Sequence, residues 1–182
     1  MAPTSNPDLP DPNDPNDPIP PEPRQSYWEA DGPLRRWIER RLPARTRAFA
    51  EPRLREMGRL AAEEVAPRAV VADKNPPKLR DDGGIDYDPS YREMEKIAYG
   101  SGFIALKYDA ALRAEHKGHV QAVGFALGYL FAQGESGLFC PACMTDGLAR
   151  VLDQSGSEAL ARAWIPRLCF TRLENRTTGA MF

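Results

Sequence analysis

Two cysteines, Cys140-Pro-Ala-Cys143, and two histidines, His116-Lys-Gly-His119, are the residues whose types and spacing most readily suit chemistry. A Cys-x-x-Cys pair serves either as a redox dithiol or as half of a metal site. A dithiol of the thioredoxin kind needs a strand feeding a helix within a βαβ unit, and no such unit is predicted around Cys140. Joined to the histidines, the pair would supply four nitrogen and sulfur ligands to a tetrahedral zinc ion. The order, histidines first, and the long separation match no compact zinc module. Zinc therefore stands as the minor alternative, no metal ligand is assigned, and Cys140 and Cys143 are read as buried or semi-buried structural residues. Cys169, between Leu168 and Phe170, is read as core.

Arg35, Arg36, Arg40, Arg41, Arg45, Arg47, Arg53, Arg55 and Arg59 make one locally basic stretch. Such a stretch could neutralise phosphates. Glu39, Glu51 and Glu56 are interspersed and stacking aromatics are few, so a solvated, ion-paired helix face is the expectation and DNA binding is not. Asp81, Asp82, Asp86 and Asp88 cluster around Gly83-Gly84, at a spacing that does not fit a calcium loop. They are expected to keep a surface loop solvated. No glycine-rich phosphate loop follows a strand, and no Ser-His-Asp or Cys-His set is present, so no catalytic residue is assigned.

The elements that must position these residues are helical. Leu34, Trp37, Ile38 and Leu42 recur on one face of a short amphipathic helix that should stop near Pro43. A second helix is predicted from Pro52, with Leu54, Met57, Ala61 and Val65 inward, and Pro67 should end or kink it. Residues 75–89, rich in Pro, Gly and Asp, read as a loop with turns. Ser90, with Glu93 three residues on, suggests a capping box opening a helix that turns Met94, Ile97 and Ala98 inward. One further helix is predicted over residues 105–115. The stretch 119–133 is apolar on nearly every face and is expected to be buried all round, with Gly134 as its stop. A helix through Leu148, Val151 and Leu152 should end at Ser155-Gly156, and Ser157 should cap a last helix facing Leu160, Trp164 and Leu168 inward. The sum is an all-α domain of about six helices over residues 27–176.

Residues 1–26 contrast with this body: their prolines, alternating with Asp and Glu, predict a disordered acidic tail. That tail carries no Lys or Arg before Arg24, which excludes a secretory or transit signal pattern. The 182 residues suffice for one domain with a real core, and a net charge of −2 gives no global pull toward nucleic acid or anionic membrane. The longest apolar run falls short of the ~20 residues that span a bilayer. With only 3 cysteines, the expectation is a cytoplasmic protein without a disulfide scaffold.

The pieces Asn75-Pro76-Pro77-Lys78-Leu79, Tyr87-Asp88-Pro89 to Met94, Gly137 to Met144-Thr145 and the closing Gly179-Ala180-Met181-Phe182 stand in an order that resembles the N-terminal part of the acyl-CoA dehydrogenase family, nearest its adaptive-response, AidB-like branch. The resemblance implies a helical bundle domain, with residues 177–182 as the start of a middle β-domain whose sheet is missing here. It implies FAD as the cofactor of the complete protein, an acyl-CoA-like substrate and a homotetramer. Within this chain it points to Met181 and Phe182 as flavin-contacting positions, and to Phe139–Thr145 as part of the pocket wall. The family's catalytic glutamate and its Leu-Thr-Glu flavin motif have no counterpart here, so the chain alone is expected to lack dehydrogenase activity. A fragment or shortened gene product is one expectation. The other is a stand-alone helical interaction module, for which a complementary flavoprotein half would be the partner.

Overall fold

The computed structural model of the chain describes residues 25–180. Residues 1–24 of the expected tail and the two expected flavin-contacting positions, Met181 and Phe182, lie outside the described residues. The architecture is all-α. Helices α1 (Tyr27–Ala30), α2 (Gly32–Arg41) and α3 (Ala44–Leu60) are followed by a π-helical turn (Ala61–Val65) and α4 (Ala66–Lys74). After a small hairpin come α5 (Pro89–Gly100), α6 (Ala105–Tyr108), α7 (Ala110–His116), α8 (Val120–Gly134), α9 (Phe139–Ser155) and α10 (Glu158–Leu168), then a 3₁₀ turn (Leu173–Asn175).

The core lies where α3, α5 and α8 meet. Leu54 and Met57 from α3, Met94 and Ala98 from α5, and Val123, Leu127 and Leu130 from α8 are all buried. Side chains of this size contribute roughly 1.5–3 kcal/mol each when removed from water. That burial explains why α3 begins at Ala44 and runs through Pro52, instead of starting there as its proline suggested. Pro52 forfeits one backbone donor, but Ala50, Leu54 and Met57 on either side of it are buried. Close approach is also needed at Gly58, where a Cβ would stand 2.4 Å from the Trp28 backbone nitrogen. Through that contact α1 lies directly on α3, with Trp28 only 3% exposed.

Pro67 neither ends nor opens the rod on its own. It sits in the first turn of α4, directly after the π turn, where the regular i to i−4 ladder is already interrupted and the missing N–H costs least. The loop expected over residues 75–89 contains a two-stranded antiparallel hairpin, β1 (Lys78–Leu79) and β2 (Ile85–Asp86), with Leu79 opposite Ile85. Its turn is closed by Gly83 at φ +81°, by Arg80 N–H on the Gly84 carbonyl at 2.8 Å, and by Gly84 N–H on Asp82 Oδ1 at 2.9 Å. Asp82 and Asp86 both take the Arg80 guanidinium at this turn, and Asp88, not Ser90, is the cap of α5: its Oδ1 accepts from Ser90 N–H at 2.8 Å with Pro89 in the first turn.

The helix expected over 105–115 is two helices, because Asp109 leaves the helical conformation to accept from Leu112 N–H and so caps α7. Ser157 does cap α10, accepting from Leu160 N–H at 3.3 Å. Of the three residues expected to face inward from α10, Leu168 is buried, while Leu160 and Trp164 are exposed. Trp37 of α2 is exposed as well, and Ile38 and Leu42 carry that helix's contact with the core.

Candidate functional site

The chemistry of the described residues gathers along the 17-residue α9. Thr145 is fully buried. Its hydroxyl donates to the Pro141 carbonyl at 2.9 Å and accepts from Gly179 N–H at 3.0 Å. The chain leaving the last 3₁₀ turn is thereby pinned on α9 one residue before Ala180. Gly179 fits because a Cβ there would press at 3.0 Å on the Leu148 side chain and the Met144 carbonyl.

The same outgoing segment is tied a second time. Arg176 donates to the buried carboxylate of Glu95 at 3.0 Å, and Arg92 reaches that carboxylate from one turn away at 2.6 Å. Two guanidiniums on one carboxylate supply the charge-assisted bonds that a buried anion requires. Tyr99, one turn beyond Glu95, packs its ring at a tilt against Phe170 with centroids 4.4 Å apart. Burial, above all, raises the pKa of its phenol.

The residue after Thr145 anchors a second buried charge. Lys107, 1% exposed, places Nζ 2.5 Å from Asp146 Oδ2, and Tyr108 donates its hydroxyl to the Asp146 Oδ1 at 3.1 Å. Burial lowers the Lys107 ammonium pKa, and the Asp146 hydrogen bond opposes it. The ammonium also lies 4.2 Å from the centroid of the Phe125 ring. Phe125 and Tyr129, one turn apart on α8, are 56% and 51% exposed. The expectation that α8 is buried all round is thus corrected. Three of its faces are packed, with Gly124 letting the Phe103 carbonyl and Lys107 stem approach to where a Cβ would stand only 2.6–2.7 Å away. The fourth is an open aromatic stripe.

The histidines and cysteines are not brought together. His116 is buried against the Phe49 ring, its Nδ1 3.2 Å from Thr46 Oγ1. Cys140 and Cys143 are exposed in the first turns of α9, which corrects their reading as buried or semi-buried structural residues. Among the described residues no group of three or more His, Cys, Asp or Glu side chains is placed to hold a metal ion. Cys169 is partly buried. Four arginines of the stretch are ion-paired, Arg35 to Glu29, Arg45 to Glu115, Arg55 to Glu29 and Glu51, and Arg59 to Glu56 and Glu63, and Arg47 and Arg53 reach the Glu39 and Phe49 carbonyls. Glu95, Lys107 and Asp146 went unselected in the sequence. A lone lysine in the apolar run Phe103-Ile-Ala-Leu-Lys-Tyr was the available signal for one of them.

An isoalloxazine with its pyrophosphate calls for an apolar floor and free donors together. The apolar groove between α3, α5 and α8, about 460 Å³, has Met57, Ile97 and Leu127 in its walls. The cations at its rim are already engaged, Lys96 by Glu93 and Arg53 by the Phe49 carbonyl. Among the described helices none is long and apolar enough to cross a membrane.

Comparison with known proteins agrees with this arrangement. A solved structure titled "Bd2924 apo-form" superposes with a TM-score of 0.75 at 25% identity, covering 85% of this chain and 31% of that one. The chain therefore spans about a third of the length of the structure it matches. No curated protein matches it. The signature of the adaptive response protein AidB N-terminal domain matches residues 18–175, and the chain belongs to that family, the N-terminal domain of AidB-like acyl-CoA dehydrogenases.

Proposed function

We propose that this chain is the helical wall of an FAD-dependent, AidB-type acyl-CoA dehydrogenase-like oxidoreductase, and that it is not catalytically competent alone. The observation that carries this reading is the double anchoring of its outgoing segment. Thr145 holds Gly179 and Glu95 holds Arg176, so residues 177–180 leave α9 from a fixed point. Fixed departure matters if the next residues, Met181 and Phe182, are to begin a strand that touches a flavin. The resemblance assigns the strand to that place; the buried anchors give it a reason.

The open aromatic stripe supports the same reading. Phe125 and Tyr129 stand exposed on a helix whose remaining faces are buried, and α9 and α10 add exposed Val151, Leu160 and Trp164. Apolar surface of this kind is ordinarily covered by another domain or subunit. In the complete enzyme that cover is the flavin-binding domains and neighbouring subunits, with an acyl thioester as substrate. Removing an α-proton and a β-hydride requires a carboxylate base, flavin and thioester held together in a dry pocket. This chain contributes the positioning surface, and no step of that reaction is assigned to its residues. Its expected location is the cytoplasm.

The test is to purify the chain in the presence of FAD and to record flavin absorbance and thioester oxidation. The expected result is neither. Stoichiometric FAD on the isolated chain would overturn the reading.

A further inference from the structure

Cys140 and Cys143 occupy the first turns of the 17-residue helix α9, and both side chains are exposed. Core packing therefore does not account for them. Residues three apart on a helix share a face with Cβ atoms about 5–6 Å apart. A disulfide needs about 3.5–4.5 Å, so closure asks for roughly 1–2 Å of local movement.

The turn that holds the pair is one that can yield. Pro141, between them, has no N–H to give. Cys140 N–H reaches the Ser136 and Gly137 carbonyls at 3.3 Å each, and Ala142 N–H reaches Leu138 at 3.4 Å. These are long against the ~2.9–3.0 Å of a well-made bond.

We propose that Cys140 and Cys143 form a redox site that exchanges with low-molecular-weight disulfides and closes to an intrahelical Cys140–Cys143 disulfide. Cys140 is the attacking residue, since it stands exposed in the first turn, at the open start of the helix. Cys143 lies deeper, its thiol pushed up by partial burial and by Asp146 against the pull of Lys107. The Cys140 thiolate attacks one sulfur of the small disulfide, forms a mixed disulfide and expels a thiolate, which takes up a proton equal to the one Cys140 released. Cys143 then attacks the Cys140 sulfur, forms the ring and expels the second thiolate, which is protonated in the same way. Two protein thiols are oxidised and one small disulfide is reduced to two thiols, with no other oxidant required. Cys169 does not compete, because burial pushes its thiol up to about 11.

The test uses the full chain, incubated with oxidised glutathione and mapped by mass spectrometry without reduction. The peptide spanning both cysteines is expected to lose two hydrogens and its reactivity toward iodoacetamide, and to recover both with dithiothreitol. Cys143→Ser should accumulate a glutathione adduct on Cys140, and Cys140→Ser should react about tenfold more slowly. Two glutathione adducts side by side, or thiols that stay alkylatable while circular dichroism shows intact helices, would overturn the site. Equal rates for the two serine variants would overturn Cys140 as the attacking residue.

Discussion

Thr145 is the residue on which the outgoing chain depends, because one hydroxyl serves both the helix behind it and the Gly179 backbone ahead of it. Replacing it with valine keeps the shape and removes the acceptor for Gly179 N–H, leaving a buried donor unpaired at a cost of about 1–3 kcal/mol. In Thr145→Val the Gly179 amide should exchange its hydrogen at least about tenfold faster, read by NMR; an unchanged rate would remove the anchor. Cys169 gives the residue scale a pH signature. Its thiol moves from an ordinary 9.0 to about 11 through burial, with Asp146 adding to the shift and Arg113 and Lys107 opposing it. Between those values the unfolded chain has released a proton that the folded chain still holds, so its contribution to stability is whole below pH 9 and is lost as pH rises through about 11. Buried Tyr99 and half-buried Tyr91 and Tyr108, also pushed up, act in the same sense at higher pH, whereas Lys107, pushed down, acts in the opposite sense. Under reducing conditions, Cys169→Ala should lose roughly 2 kcal/mol less stability than the parent between pH 9 and 11, by urea unfolding. Parallel profiles would contradict this. Residues of this kind were poorly legible in the sequence. Glu95 looks like any helix-surface glutamate until Arg92 and Arg176 are seen to converge on it.

At the scale of elements, apolar periodicity was enough to find most helices, because the buried stripes of α3, α5 and α8 recur at helical spacing. Where reading failed, a local signal was outweighed by packing or by a competing cap. Pro52 looks like a helix start, yet the apolar residues flanking it are buried within one continuous α3. Ser90 looks like a cap, yet Asp88 stands two residues earlier, before a first-turn proline, and takes the donor. The outward face of α8 was hidden for another reason: Phe125 and Tyr129 are as apolar as their neighbours, and only the packed arrangement leaves them open. The contact of α1 with α3 is tested by Gly58→Ala, whose methyl would meet the Trp28 backbone nitrogen at 2.4 Å. Backbone cannot swing aside as a flexible side chain can, so the substitution should destabilise the domain by about 1–3 kcal/mol in urea unfolding and raise Trp28 exposure to quencher. A neutral outcome would mean that α1 is not held on α3 at this distance.

At the scale of the whole molecule, the described residues form a helical domain with a closed core, two buried charge clusters and an aromatic stripe left open. Family membership was legible because the ordered short segments from Asn75-Pro76-Pro77 to Met144-Thr145, all inside the matched residues 18–175, form a pattern that no single one of them would establish. The proposed cofactor positions, Met181 and Phe182, rest on that resemblance alone, since nothing in their own types demands a flavin. The most direct measurement is the FAD retained per chain, for the isolated chain and for the same chain joined to the flavin-binding domains of an AidB relative. The account predicts none on the first and about one per chain on the second. Stoichiometric FAD on the isolated chain, or none on the joined protein while it remains folded and associated, would contradict it.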